Sequence, residues 1–106
     1  MKIARMLFVF TVSGVLALAA GDAKAGAEVY TKACKSCHGA DGAPNAAVAK
    51  MMKVEIKHLG DPSVQGQPDS KWQEVITSGV GKMKAVKSIE GKQVTDVIAF
   101  GKTLKK

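Results

Sequence analysis

The feature that most constrains the fold of this chain is the segment CKSCHG at residues 34–39. It contains the only two cysteines of the sequence, Cys34 and Cys37, and His38 follows the second one directly. A zinc site needs four ligands, and the two histidines of the chain lack the spacing of zinc-binding motifs. A thioredoxin-like dithiol needs surrounding strands, and a disulfide alone leaves His38 unexplained. The C-x-x-C-H pattern instead predicts covalent attachment of a c-type haem.

The spacing of the motif suits haem attachment for a geometrical reason. Two thiols about one helical turn apart reach the two vinyl groups at one edge of a porphyrin. The next residue then directs its imidazole at the iron. We therefore expect Cys34 and Cys37 to form the thioether bonds of one haem c and His38 to be the proximal ligand of its iron.

The N-terminal residues have the composition of a secretory signal peptide. Two basic residues precede an uncharged run over 6–20, and the small-residue pattern A-K-A follows at 23–25. These are the three regions of a cleavable signal, and the run is shorter than the roughly 20 residues that span a bilayer. We predict a cleaved signal peptide at 1–25, an exported domain at 26–106 and a periplasmic location. An uncleaved membrane anchor is the alternative.

The predicted domain is small, lysine-rich and poor in aromatic residues. Its rings are Tyr30, Trp72 and Phe100, and a domain of this size usually needs a cofactor, a metal or a disulfide to complete its core. The chain carries a net charge of +7, and its single arginine, Arg5, lies in the predicted signal peptide. Since bidentate guanidinium groups favour recognition of phosphates and bases, we expect no nucleic-acid partner.

Apolar spacing, caps and glycines predict four short helices separated by loops. These helices are 26–36, 46–52 with Asn45 as its cap, a third that starts at a cap on Asp69 or Ser70 and stops at Gly79, and about 90–104. The apolar face of the last helix is formed by Val94, Val97, Ile98 and Gly101. Residues 53–58 alternate charged and apolar side chains, so we expect an extended segment with Val54 and Ile56 facing the core. Residues 60–70 are rich in glycine and proline and are predicted as loop.

Over nearly the whole of residues 26–106, the chain resembles the small soluble monohaem class I c-type cytochromes. The resemblance rests on the haem motif and on three further segments: GAEVYTKAC, SGVGKMKAVKS and VTDVIAFGKTL. It implies an all-α class I cytochrome c fold, with about four short helices and long loops around one covalently bound haem. It also implies that Gly26 and Tyr30 pack the first helix across the last one.

Met83 is the predicted distal ligand of the haem iron. It follows two glycines in a loop, and glycines allow a chain to lie close against a flat cofactor; the resemblance indicates the same residue. Met51 and Met52 lie in a predicted helix, where methionine is more often a core residue. His58 stays open as an alternative ligand, which would give a bis-histidine haem of lower potential.

Two further residues are candidate contacts of the haem. The resemblance implies that a proline carbonyl accepts a hydrogen bond from the second ring nitrogen of the proximal histidine, and Pro44 is the candidate. Its alternative role is that of a turn residue. Trp72 either donates its indole N–H to a haem propionate or covers the edge of the core, and the sequence does not separate these roles.

Together these features predict an electron carrier and not an enzyme. When side chains fill both axial positions of a haem iron, oxygen and peroxide have no place to bind. The resemblance implies a monomeric carrier whose partners are larger redox proteins with acidic docking patches. The lysines expected at this surface are Lys35, Lys82, Lys84 and Lys87. The alternative is a haem with an open sixth position that binds a small ligand or reduces peroxide.

Overall fold

The computed structural model describes residues 21–106, and residues 1–20 of the predicted signal peptide lie outside this range. The described residues form six helices and no strand: α1 (Ala23–Ala33), α2 (Lys35–His38), α3 (Ala46–Met52), α4 (Pro62–Gln65), α5 (Asp69–Ser78) and α6 (Lys92–Gly101). Helices α2 and α4 are single turns, and the other four correspond to the predicted helices. The predicted all-α fold is therefore confirmed for these residues. None of their helices has the length and apolar composition that a membrane crossing requires.

Helices α1 and α6 cross at the centre of the fold. Gly26 of α1 lies so close to the backbone carbonyl of Asp96 that a Cβ atom at this position would overlap it. One turn further along α1, Tyr30 is 3% exposed, and its ring centroid lies 5.0 Å from that of Phe100. The packing implied by the resemblance, with Gly26 and Tyr30 at the crossing, is thus confirmed.

The core is built around the buried face of α6. Val94, Val97, Ile98 and Gly101 are the predicted apolar face of this helix, and all four are buried. Helix α5 packs its own apolar side against them, and the Trp72 ring lies directly on Gly101. Since Gly101 has no side chain, it leaves room for this ring.

The ends of two helices differ from the predicted positions. The N-cap of α5 is Pro68, one residue before the predicted Asp69 or Ser70, and no side chain caps this end. The Asp69 carboxylate lies instead 3.5 Å from the ammonium of Lys102. Helix α6 ends at Gly101 and not near residue 104. The residues after it lie against the loop at Gly60, where an added Cβ atom would overlap the backbone of Lys105.

The loop predicted at 60–70 contains the helical turn α4. The Asp61 carboxylate caps it by accepting a hydrogen bond from the N–H of Ser63 at 2.9 Å, and Pro62 occupies its first position. Asp-Pro is a helix-start signal. It was not used in the prediction, because the glycine and proline content of the segment favoured a loop. The Gln65 side chain fastens this turn to the core by donating to the carbonyl of Gly101 at 2.9 Å.

Residues 53–58 form neither a helix nor a strand, and Lys53 is the left-handed C-cap of α3, with a φ of +54°. The predicted extended conformation is therefore wrong at Lys53, and for residues 54–58 it stays a prediction. Val54, Ile56 and His58 are half-buried, whereas residues 53, 55 and 57 are exposed. The alternating pattern therefore indicates one side that is turned toward the protein.

Helix α1 begins inside the predicted signal peptide. Its N-cap is Asp22, whose carboxylate accepts hydrogen bonds from the backbone N–H groups of Lys24 and Ala25. The N–H of Asp22 itself donates to the carboxylate of Asp96 at 2.8 Å. Residues 22–25 are therefore connected to α6 in the folded structure.

We expect Gly26→Ala to destabilise the protein, although alanine is ordinarily the better helix former. The added methyl group meets the Asp96 carbonyl, and overpacking of this kind costs about 1–3 kcal/mol of unfolding free energy. Urea unfolding measures the change. Gly66→Ala is the control, because Gly66 has a φ of −74° and the nearest atom to its Cβ position is 3.1 Å away. Equal unfolding free energies for the two variants would contradict the crossing geometry.

Candidate haem site

The C-x-x-C-H motif folds into one helical turn that follows α1 directly. Cys34 is both the C-cap of α1 and the N-cap of α2. Its carbonyl accepts hydrogen bonds from the N–H groups of Cys37 and His38, at 3.3 and 3.0 Å. The two thiols are not bonded to each other. This turn therefore presents two free thiols and an imidazole from five consecutive residues.

The protonation of Cys34 argues against a metal-binding or redox-active thiol pair. Burial, and then the neighbouring Cys37, raises the pKa of the Cys34 thiol to about 11. Reactive and metal-binding cysteines have lowered pKa values, because the thiolate is the nucleophile and the ligand. No group of three or more His, Cys, Asp or Glu side chains within residues 21–106 is placed to hold a metal ion. The described residues thus provide no metal site that uses this pair of thiols.

The imidazole of His38 is held partly inside the protein. Burial lowers the pKa of His38 below its ordinary value, so the ring is neutral at pH 7, which is the form that binds a metal. Its Nδ1 is buried and makes no hydrogen bond within the described part of the chain. The bond predicted to the carbonyl of Pro44 is not formed in this structure, and that role of Pro44 stays a prediction.

The hydroxyl of Tyr30 holds the chain that follows His38. It donates to the carbonyl of Gly39 at 2.6 Å and lies 3.2 Å from the carbonyl of His38. The aromatic ring was expected at the helix crossing, but this hydrogen bond was missed, since nothing in the sequence shows which carbonyl the hydroxyl meets. Tyr30 therefore connects the α1–α6 crossing to the backbone at His38 and Gly39.

Asn45 joins the haem motif to α3. Its N–H donates to the carbonyl of Cys37 at 2.9 Å, and its side-chain amide donates to the carbonyl of Ser36 at 3.2 Å. Its side-chain oxygen caps α3 as predicted, by accepting from the N–H groups of residues 47 and 48. Asn45 thus fixes the position of Pro44, its neighbour in sequence, relative to the motif.

Met83 lies on a tight turn that is distant in sequence from the haem motif. Val80 and Met83 exchange two backbone hydrogen bonds of 2.9 Å. Gly79 and Gly81 have φ values of +79° and +55°, which glycine adopts without strain. The Lys82 ammonium donates to the carbonyl of Met52 at 2.8 Å. Since Met52 ends α3 and Asn45 begins it, this helix connects the Met83 turn to the motif.

The other candidate ligands lie in different surroundings. Met51 was expected in the core, but it is 76% exposed, so this expectation is wrong; Met52 is half-buried. The Nδ1 atom of His58 accepts a hydrogen bond from the N–H of Gly60 at 2.9 Å. This bond holds the ring in a local turn through one of its two nitrogens.

Trp72 presents a second buried nitrogen without a partner. Its ring packs on Gly101, and the Lys102 ammonium lies 5.3 Å from the ring centroid. Its Nε1 is buried and makes no hydrogen bond within residues 21–106. A buried donor without an acceptor is costly. Two thiols and a neutral imidazole on one turn are the groups by which a c-type haem is attached, so the residues present fit this cofactor.

The fold and the motif define a small c-type cytochrome. A family model described as "Cytochrome C oxidase, cbb3-type, subunit III" matches residues 21–100, and the chain belongs to this family. The structure of the KustC0563 c-type cytochrome matches with a TM-score of 0.64 and 25% sequence identity, over 76% of this chain and 98% of that chain. No curated protein matches the sequence. The resemblance to c-type cytochromes and the class I cytochrome c fold are thereby confirmed.

We expect Tyr30→Phe to lower the unfolding free energy by about 1–3 kcal/mol, because the variant keeps the ring but leaves the buried Gly39 carbonyl without its donor. Burial, and then the nearby Cys34 and Asp41, raises the pKa of Tyr30 from 10.0 to about 12. A group with a raised pKa stabilises the fold fully below its unfolded pKa, and this contribution is lost as the pH rises through the folded value. The difference in unfolding free energy between wild type and variant should therefore be constant below about pH 10 and should decrease between about pH 10 and pH 12. Urea unfolding across this range measures it, and a difference that is unchanged at pH 12 would contradict the assignment.

Proposed function

We propose that this electron-transfer cytochrome is an exported, monomeric one-electron carrier whose haem iron has His38 and Met83 as axial ligands. The observation that supports this proposal best is the connection between two separate parts of the chain. The motif turn carries both thiols and His38, and the hydrogen bond of Asn45 connects this turn to the start of α3. The hydrogen bond of Lys82 connects the end of α3 to the glycine turn that carries Met83. A histidine and a methionine are thus presented by two elements that are tied to each other.

In this proposal each site residue has a separate task. Cys34 and Cys37 hold the haem covalently, and His38 binds the iron as a neutral imidazole. When bound, haem c supplies an iron that gains and loses one electron. The thioether of Met83 favours the reduced iron more than a second imidazole does. This sets the proposed protein apart from the bis-histidine alternative with His58.

The described contacts keep these side chains in place when the charge of the site changes. Tyr30 fixes the carbonyl after His38, and Asn45 fixes the carbonyl of Cys37. The Met83 turn is closed by its own two hydrogen bonds, and the N–H of Val86 donates to the carbonyl of Ile76 in α5 at 2.8 Å. A site held in this way reorganises little on electron transfer, which is what a carrier needs.

Export and a periplasmic location form part of the proposal. They are supported by the composition of the N-terminal residues, which is that of a signal peptide. The C-x-x-C-H motif is also consistent with export, because the two cysteines would be oxidised or used in a covalent bond in an oxidising compartment. Covalent attachment of haem uses both.

Substitution of Met83 tests the distal ligand. We expect Met83→Ala to remove the sulfur-to-iron charge-transfer absorption of the oxidised protein, to lower the midpoint potential and to let the reduced protein bind carbon monoxide stoichiometrically. Met51→Ala is the matched control, because Met51 is 76% exposed and should leave all three properties unchanged. Absorption spectra and a potentiometric titration measure them. Rapid binding of carbon monoxide by the wild type would instead favour the haem with an open sixth position.

A lysine-rich surface supports the proposed acidic partners. The four expected lysines, Lys35, Lys82, Lys84 and Lys87, are all exposed. Val80, two residues before Lys82, is 55% exposed. The hydrogen bond from Lys82 to the carbonyl of Met52 connects the Met83 turn to the end of α3, where Met51 is also exposed. Apolar residues flanked by like charges are typical of weak, salt-sensitive redox encounters. We therefore propose larger redox proteins with acidic docking patches as donor and acceptor.

Charge reversal beside Met83 tests this surface with small probes. We expect Lys84→Glu to slow electron exchange with anionic hexacyanoferrate several-fold at low ionic strength and to speed exchange with a cationic cobalt tris-phenanthroline complex. Both effects should vanish near 1 M salt, where the Debye length is about 3 Å. Lys105→Glu, on the C-terminal segment over Gly60, is the control with the same change in charge. Stopped-flow kinetics measure the rates, and equal effects of the two variants would exclude a docking surface at the Met83 turn.

A further inference from the structure

The first turn of α1 depends on Asp22. Its carboxylate accepts hydrogen bonds from the N–H groups of Lys24 and Ala25, at 2.9 and 3.3 Å, and its carbonyl accepts the N–H of Gly26 at 2.8 Å. The four leading N–H groups of a helix have no partner within the helix. Asp22 therefore satisfies two of them with its side chain, and its carbonyl accepts the first hydrogen bond of the helix.

Asp22 also satisfies a buried carboxylate on α6. Asp96 is 4% exposed, and its oxygens accept the N–H of Asp22 at 2.8 Å and the ammonium of Lys92 at 2.9 Å. Lys92 is mostly exposed and flexible, so the backbone N–H is the better fixed of the two partners. Without Asp22, a buried charge would lose this donor, which is costly.

The contact between the two helices extends to Gly21. A Cβ atom at this position would overlap the carbonyl of Thr95 and would meet the side chain of Ala99. Gly21 therefore approaches α6 in the same way as Gly26 does at the crossing. The residues from 21 to 25 are part of the packed α1–α6 contact, and the family match also begins at residue 21.

The sequence offers two small-residue patterns for cleavage. One is A-K-A at 23–25, and the other is A-L-A at 17–19, at the end of the uncharged run. Cleavage after Ala25 removes Asp22, the first turn of α1 and the backbone donor to Asp96. Cleavage after Ala19 keeps all of them.

We propose that the mature protein retains Asp22, because the signal peptide is cleaved after Ala17-Leu18-Ala19 and not after Ala25. Water hydrolyses the peptide bond between Ala19 and Ala20, which leaves a carboxylate on Ala19 and a free α-amino group on Ala20. This inference rests on the proposed export, but it concerns a different property of the chain. The new N-terminus then lies two residues before the cap of α1.

The first test is the N-terminus of the exported protein. The full chain is expressed with its own N-terminal residues in a bacterial host that matures c-type cytochromes, and intact-mass spectrometry and N-terminal sequencing are applied to the holoprotein. We expect a chain that begins at Ala20. A chain that begins at Gly26 overturns the inference and leaves the proposed export intact. A chain that keeps residues 1–19 also overturns the inference and favours the uncleaved membrane anchor.

Two variants identify the residue at the cleavage position. Signal peptidases require a small residue there, so Ala19→Leu should abolish the species that begins at Ala20. The matched variant Ala25→Leu should leave the N-terminus unchanged. Loss of processing in Ala25→Leu, with normal processing in Ala19→Leu, would place the cleavage at the second pattern and overturn the inference.

A second measurement tests the physical reason for retaining Asp22. Holoproteins that begin at Ala20 and at Gly26 are produced behind an unrelated signal peptide and unfolded in urea. We expect the shorter chain to unfold at a lower urea concentration. We also expect Asp96→Asn to lower the midpoint more in the longer chain, because only that chain has the Asp22 donor. Equal midpoints of the two chains, or equal effects of Asp96→Asn, would show that residues 20–25 do not stabilise the domain.

Discussion

The close approach of α1 and α6 at Gly26 is the constraint on which the rest of the structure depends. Because this glycine lets the two backbones touch, Tyr30 lies against Phe100 and is buried. Its hydroxyl then reaches the carbonyl of Gly39, directly after the haem motif. The first and last helices thereby determine where the motif turn lies. A position without a side chain thus helps to place the site.

The residues that hold the site act mainly on backbone groups. Tyr30 donates to the carbonyl of Gly39, next to His38, and Asn45 donates to the carbonyl of Cys37. Lys82, the neighbour of Met83, donates to the carbonyl of Met52. A carbonyl is present whatever the side chain is, so these contacts do not depend on the identity of the residue that accepts them. The same donors can therefore hold a site whose surrounding side chains differ, which is consistent with the low identity of 25% to a structure of the same fold.

The sequence predicts those parts of the structure that depend on local chemistry. The cap on Asn45 and the apolar face of α6 are local patterns, and both are confirmed. The parts that were wrong or missed depend on partners far along the chain. The turn α4 is fastened by Gln65 to Gly101, and the Tyr30 hydroxyl meets a carbonyl that only the folded structure brings near it. The spacing of the motif predicts that both thiols and His38 serve the haem, whereas the contacts that hold these residues were not predictable.

The placement of the crossing also determines the order in which the domain can assemble. Helix α1 cannot meet α6 until residue 101 has been made, although the haem motif at 34–38 emerges much earlier. Until then the thiols lie in an open chain, where a cysteine has an ordinary pKa of about 8.5 and reacts readily. Closure buries Cys34 and raises its pKa to about 11. The Cys34 thiol is thus more acidic and more reactive before the two helices meet than after they have packed.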